Sequence, residues 1–495
     1  VFPQPRALAE HLTADVCVIG SGIAGLSAAY ALAKIGASVV VLEHARIGGR
    51  QTPQTTAHLA SALDDRYSRL ERFFGNDGAR LAAQSHSAAI DFIEQTCRME
   101  SIEAQFRRVD AYLFSGDGCA PEEIEDECAA AARAGLSASI VKRVPFADPF
   151  DTGPALRYAN QGEIQPLKYV FGLYHALVAL GAKMYSGTTA THIEDRKLPV
   201  VETSGGYRVQ AGAVIVATNS PFNDKLAIHT KQAPYSTYVI AAAVERDSIE
   251  HCLAYDTLDP YHYVRVHTPE TANEDLLIIG GEDDKTGEQD CGAENFEKLE
   301  RWMRERFPSA RDVRFRWSGQ VYEPVDSLAF IGRNPHSANV YVITGDSGNG
   351  MTHGTIGALL IRDLITGKAN PWESLYKPSR ITLHTGAAAE FMLENANVIA
   401  HFSENVQGGE VASELEIPNG SGAIVRKGLR KYAVYRADDG AITARNAQCT
   451  HLGCIVHWNS TEREWDCPCH GSRFDSSGHV VNGPASVDLS PAPDF

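Results

Sequence analysis

Two short loops near the end of the chain each pair a cysteine with a histidine. "CTHLGC" spans 449–454 and "CPCHGSRF" spans 467–474, so the donors read Cys449-x-His451 and then Cys467-x-x-His470. Thiolates and neutral imidazoles are metal ligands, and each loop presents one of each. Tetrahedral zinc also takes two Cys and two His, but zinc fingers usually pair Cys with Cys and His with His. Zinc would also leave Cys454 and Cys469, one in each loop, without a role. A redox dithiol needs two residues between its cysteines, and Cys467 and Cys469 have one. Two thiolates on one iron and two imidazoles on a second account for the mixed loops, which is a [2Fe–2S] reading.

The other end of the chain carries nucleotide chemistry. "GSGIAG" (20–25) follows the apolar run "DVCVIG" and precedes "LSAAYALAKIG"; "SVVVLE" then ends in Glu43. Gly20 permits a tight turn, Gly22 lets the backbone approach a pyrophosphate, and Gly25 packs helix on strand. The helix amides face the phosphates and the Glu43 carboxylate accepts from a ribose hydroxyl. No second fingerprint of this kind occurs, although a flavin enzyme fed by a pyridine nucleotide ordinarily needs one.

These loops require particular elements around them. Residues 14–43 read strand, glycine turn, helix, strand, and residues 61–150 read mostly helical. From 200 to 330 strands dominate, and "NVYVITGDSGNGMTHGTIGALLIRDLI" gives another strand, glycine turn and helix. The stretch 387–406 reads as one helix with Phe391, Val398, Ile399 and Phe402 near one face. The 495 residues carry a net charge of −17, which argues against nucleic acid and anionic membrane surfaces as partners. Residues 16–33 are nearly uncharged, yet the glycine spacing and Lys34 favour a buried strand–turn–helix over a membrane span. Of ten cysteines, Cys17, Cys97, Cys119, Cys128, Cys252 and Cys291 are scattered and read as free thiols of a reducing, cytoplasmic compartment. No signal peptide is visible, while the start at Val1 leaves room for a removed leader.

The segment "CTHLGC…CPCHGSRFD…NGPA" resembles the disulfide-bearing Rieske [2Fe–2S] domain of cytochrome bc complexes. The resemblance implies cluster ligands Cys449, His451, Cys467 and His470, and a disulfide between Cys454 and Cys469 that closes the two loops over the cluster. High-potential members carry a Ser and, two residues later, a Tyr that donate to cluster and cysteine sulfurs. Ser472 is kept, but Phe474 stands at the tyrosine position, which implies a lower potential. Upstream, "GAVIVATNS" (212–220), "TGDSGNGMTHGTIGALL" (344–360) and residues 165–195 resemble the D-amino-acid oxidase-like FAD superfamily, which includes glycine and sarcosine oxidases. With residues 49–67 and 317–335, the arrangement resembles bacterial FAD-dependent oxidoreductases with a C-terminal Rieske domain. The implied fold is an α/β (α+β) Rossmann-type FAD-binding domain with a β-rich substrate domain, followed by an all-β Rieske domain. The expected division is 1–380 for the oxidoreductase, with FAD-binding parts at about 14–60, 157–220 and 312–370 and substrate-binding parts at about 61–156 and 221–311. A linking helix at 381–410 and a Rieske domain at 411–495 complete it.

By the same resemblance, Gly20, Gly22, Gly25, Glu43, Arg50, Thr56, His58, Thr218, Gly345, Gly348, Gly350, Met351 and Thr352 contact FAD. Some relatives bind FAD covalently through a histidine in a comparable context; His58 reads instead as lining the flavin pocket or the core. Glycine-oxidase-like enzymes place an Arg before a Pro to bind a substrate carboxylate. Here Glu323 precedes Pro324, so the expected substrate is a neutral or cationic amine, with an external electron acceptor or donor as partner. Tyr261, Tyr263, Arg265 and His353 are the candidate catalytic and pocket residues. "DPYHYVRVH" offers Asp259, His262 and His267 as a decoy iron motif, but histidines five apart on a strand point to opposite faces. Two rival readings remain: a relay without an amine substrate, and a reductase fed in reverse by a ferredoxin.

Overall fold

The computed structural model describes residues 4–117, 122–146, 149–223, 228–382, 384–493 and 495; Cys119 lies outside them. The first sheet is built on the strand Leu12–Ile19, buried from Val16 onward, which pairs in parallel with Val39–Leu42 on one side and Arg208–Val216 on the other. The helix Ile23–Ala33 makes the crossover between the first two strands. Ten of its eleven residues are buried, so it lies between the sheet and the helix Gly350–Ile365 rather than at the surface. Val340–Thr344 and Lys183–Tyr185 extend the parallel sheet at its two sides.

A second, nine-stranded sheet stands beside it, in the order 313–324, 232–245, 274–285, 262–267, 253–256, 107–114, 155–163, 58–59, with 138–141 paired to 155–163. Two of its strands correct the helical expectation for 61–150. The chain does form the long helix Tyr67–Met99, kinked at Gly75, and the helix Glu122–Arg133. Arg107–Phe114, however, pairs with both Leu253–Asp256 and Ala155–Glu163, and Ala138–Val141 pairs with the latter. Sheet partners up to about 145 residues away select the strand conformation, and a local reading does not see them. Strands 155–163 and 313–324 also run in this second sheet rather than the first.

The helix Thr385–Phe402 follows, with the His384 ring accepting from the Gly386 N–H at its start. Its apolar residues do not share one buried face. Val398 packs against the cysteine-rich core, whereas Ile399 is 70% exposed and Phe391 40%. The remainder folds as a three-stranded sheet (421–427, 430–436, 442–446) and a four-stranded sheet (457–459, 464–466, 473–475, 480–482), both antiparallel. No helix among the described residues is long and apolar enough to cross a membrane.

Candidate functional site: a cavity at the glycine turn and a cysteine–histidine centre

The glycine turn after Ile19 is fixed by contact. A Cβ on Gly20, at φ +102°, would lie 2.3 Å from the Ala217 carbonyl oxygen, and one on Gly25 would lie 2.0 Å from the Gly20 oxygen. Any side chain there would push helix, turn and strand apart. Glu43 reaches back to the same turn: the Ser21 hydroxyl and N–H donate to its Oε2 at 2.7 and 3.1 Å, and the Ala45 N–H donates to Oε1 at 2.9 Å. Burial works against its charge, yet hydrogen bonds from His44, Ala45 and Ser21 hold the carboxyl below its usual range.

A cavity of about 600 Å³ opens from this turn. Gly20, Gly22, Glu43, Arg50, Thr56, His58, Thr218, Gly348, Gly350, Met351, Tyr261, Tyr263 and His353 line it. Gly25, Gly345, Thr352 and Arg265 do not. Thr352 hydrogen-bonds the His86 ring at 2.9 Å. Arg265 is buried behind the wall and donates to the Thr56 and Ala57 carbonyls at 2.9 and 3.1 Å, so it braces the backbone beside His58. His58 is held neutral, at about 3, by burial and by Arg265; burial also holds His353 at about 4. Each leaves its Nε2 buried without a partner on the cavity wall. The wall also carries groups with no sequence signature: Asp64, Asp283, Asp346 and Tyr255. Burial pushes Asp64 and Asp283 up to about 7 and Asp346 up to about 6. Glu323 lies beside them, accepts from Ser347 Oγ at 2.6 Å, and is pushed well above its usual range by burial and by Asp65. In the decoy motif, His262 bonds Asp256 at 2.7 Å and stacks on Trp302; it registers with Gly281 and His267 with Leu276, so the two histidines face opposite ways.

The two cysteine–histidine loops close on each other. Cys454 and Cys469 are joined by a disulfide with Cα atoms 6.5 Å apart. The Cys454, Cys467 and Cys469 sulfurs cluster within 4.8 Å, but two of them form that bond and are spent as thiolate donors. The donors left are Cys449 and Cys467, hydrogen-bonded to each other, and His451 and His470, whose rings lie 5.1 Å apart. Burial holds His470 neutral, at about 3, with its lone pair available. Paired thiols on one side and paired imidazoles on the other fit a [2Fe–2S] centre. The Ser472 side chain bonds Cys449 and accepts from the Ala485 N–H.

The segment that follows the second loop also borders this cavity. Residues 480, 482, 483 and 485–488 form part of its wall. Gln320 donates to the Gly471 carbonyl at 2.9 Å and Tyr322 OH to the His470 carbonyl at 3.1 Å. Tyr322 is 1% exposed, and its N–H donates to Asp346 Oδ1 at 3.2 Å. The His229 ring packs edge-on against both His451 (4.9 Å) and His470 (5.5 Å).

A family profile described as DAO, FAD dependent oxidoreductase, matches residues 15–364. The chain belongs to the FAD dependent oxidoreductase family. A Rieske [2Fe–2S] domain profile matches residues 409–493 of this oxidoreductase, so its cofactors are FAD and a [2Fe–2S] cluster. The oxidoreductase is similar to the Rieske 2Fe-2S iron-sulfur protein YhfW of Bacillus subtilis, at 32% identity over 99% of this chain and 95% of that one. It is 27% identical to gamma-glutamylputrescine oxidoreductase of Escherichia coli over 74% of this chain and 87% of that one. The fold of its larger part matches glycine oxidase from Geobacillus kaustophilus, with TM-score 0.62, 18% identity and coverage of 75% and 99%. Tyr322 and Gln320 carry no local signature in the sequence of the oxidoreductase. Their partners, residues 470–471 and 482, lie about 150 residues away.

Proposed function

We propose that the chain oxidises an amine at FAD and passes the electrons, one at a time, through its Rieske cluster to an external acceptor. When bound, FAD supplies a two-electron, hydride-accepting ring and the cluster a one-electron site. Residues Gly20, Gly22 and Glu43 hold the nucleotide end; Cys449, His451, Cys467 and His470 ligate the cluster within a Rieske domain at about 411–495. The wall acids Asp64, Asp283 and Asp346 suit a neutral or cationic amine: above about pH 7 they ionise, and an α-carboxylate brought near them meets repulsion. Asp64, poised at about 7, can take the proton that an ammonium must lose before its nitrogen lone pair assists C–H cleavage.

The observation that carries the transfer step is the shared wall. Residues 480, 482, 483 and 485–488 of the Rieske part line the flavin cavity, and Tyr322 joins the His470 carbonyl to the cavity acid Asp346. The test is anaerobic mixing with a panel of amines, followed optically for flavin and by electron-paramagnetic resonance for the cluster. The flavin band should bleach and the reduced-cluster signal then rise within the same molecule. Bleaching with a permanently oxidised cluster contradicts internal transfer, and turnover with reduced ferredoxin but no amine favours the reverse direction.

A further inference from the structure

The end of the cavity that holds His58 is an aromatic chamber. Tyr255 and Tyr263 stand in register on adjacent antiparallel strands. The His58 ring meets both edge-on, at 5.3 and 5.7 Å, and Tyr261 continues the row 5.7 Å from Tyr263. Gly280, opposite Tyr263 in the neighbouring strand, makes room for this: a Cβ there would lie 2.2 Å from the Tyr263 ring. Hydrogen bonds fix the rings. Tyr255 OH bonds His58 Nδ1 at 2.9 Å, Tyr261 OH donates to Asp64 Oδ2 at 3.0 Å, and Tyr263 OH bonds Thr237 Oγ1 at 2.9 Å.

Two carboxyls enter this chamber from different elements. Asp64 follows the short strand His58–Leu59 and reaches the glycine turn before helix Gly350–Ile365, where a Cβ on Gly348 would lie 2.3 Å from its Oδ2. Asp283 stands on strand Glu274–Lys285, hydrogen-bonded by Thr237, and its Oδ1 is buried without any partner. Among the described residues, Arg50 is the single Lys or Arg on the cavity wall, and it belongs to the glycine-turn end. Ring faces attract cations, and the unpartnered oxygen of a desolvated carboxylate is satisfied by one.

We propose that this chamber seats an α,ω-diamine or longer polyamine: one nitrogen is oxidised beside Asp64, while a second ammonium is held by Asp283 and the tyrosine rings. The proposal rests on the amine reading above and adds the second nitrogen. Two nitrogens are needed because the reacting one must be neutral when the C–H bond breaks, so it cannot also be the charge that Asp283 holds. Its proton passes to an Asp64 oxygen. The C–H electron pair leaves as hydride to the FAD ring, the nitrogen lone pair closes a C=N bond, and the product is an iminium ion that water hydrolyses to an aldehyde and ammonium. The remote ammonium keeps its proton throughout.

The test uses the full-length, FAD-loaded protein without oxygen at pH 8, with 1,4-diaminobutane and 1-aminobutane as probes. Binding is read by calorimetry and by perturbation of the flavin bands, reduction by bleaching. The diamine should bind about ten- to a hundredfold more tightly than the monoamine, the scale of one charge-assisted hydrogen bond. Asp283→Asn should bring that ratio close to one, and Tyr263→Leu should lower it several-fold while Tyr263→Phe, which keeps the ring face, preserves it. Equal affinity of the unaltered protein for the two probes overturns the seat, whatever the variants do. So does a ratio that survives Asp283→Asn in protein with normal flavin content. Tight diamine binding without bleaching upholds the seat and overturns amine oxidation; bleaching by both probes at equal affinity does the reverse.

Discussion

Ser472 and Phe474 stand two residues apart on the second cluster loop and present opposite chemistry. The serine bonds Cys449, whereas the phenyl ring is fully buried in the core formed with Cys449, Cys454, Cys467 and Cys469. Reduction adds negative charge that spreads onto the ligand sulfurs, so a donor there stabilises the reduced state more than the oxidised one. Phe474→Tyr should raise the cluster midpoint by some tens of millivolts, and Ser472→Ala should lower it by a similar amount, on the scale of about 1.5–3 kcal/mol at most for one charge-assisted hydrogen bond. Redox titration with the cluster signal as readout checks both; an unchanged midpoint in the tyrosine variant means that its hydroxyl does not reach a ligand sulfur. Asp64 and Asp283 set a second expectation. Asp64 faces Tyr261, Asp65 and Asp283; Asp283 faces Thr237, Glu282, Asp284 and His262. Because burial raises both to about 7, the charged forms that attract a cation exist above that pH and are lost below it. Amine affinity should therefore fall about tenfold from pH 8 to pH 6 for one controlling carboxyl. A flat profile over this range rules out both groups as the cation's partners.

The helix Thr385–Phe402 shows how an element serves as a fastening. Glu394 meets Lys285 at 2.8 Å, Asn395 donates to the Thr230 carbonyl, and Val398 packs on the cysteine core. At its end an alternating row of charges joins three segments: His401 lies between Glu404 (2.6 Å) and Glu288 (3.6 Å), and His457 between Glu404 (2.8 Å) and Glu410 (2.9 Å). The carboxylates Glu288 and Glu404 raise His401 to about 9. Burial opposes protonation of His457, but Glu404 and Glu410 still raise it to about 9. A histidine whose folded value exceeds its unfolded value near 6.5 contributes its full stabilisation below 6.5 and loses it as pH rises through 9. Limited proteolysis around residues 403–412 should consequently be slow at pH 7 and distinctly faster at pH 9.5. Equal rates at the two pH values would show that the row does not hold this junction.

In the whole molecule, the cluster loops are not a free appendage. Tyr322 and Gln320 grip residues 470–471, Arg473 donates to Ser236 at 2.9 Å, and Ser318 donates to Glu462 at 2.6 Å, so hydrogen bonds tie the second sheet to the Rieske part. Electron transfer from flavin to cluster should then be first-order and independent of protein concentration over at least a tenfold range in rapid-mixing experiments. A rate proportional to concentration would assign the transfer to collisions between molecules. The net charge of −17 adds a consequence for the onward step: a basic protein acceptor should be reduced faster at low salt and more slowly as ionic strength rises.

Much of this chemistry was readable from the chain alone, because it depends on residue type at short spacing. A glycine at 20 or 25 is demanded by atoms within its own turn and the strands beside it, and two Cys–His loops announce a mixed-ligand iron centre wherever they fold. The parallel core strand 12–19 and the helix 350–365 were likewise legible from apolar runs bounded by glycines. What the tertiary structure alone decided is what faces what. Arg107–Phe114 became a strand because distant segments pair with it, Arg265 turned behind the wall to carbonyls at 56 and 57, and Asp64 met Tyr261 across 197 residues. The raised carboxyls at 64 and 283 follow from that enclosure, since desolvation is a property of the closed cavity and no local pattern encodes it.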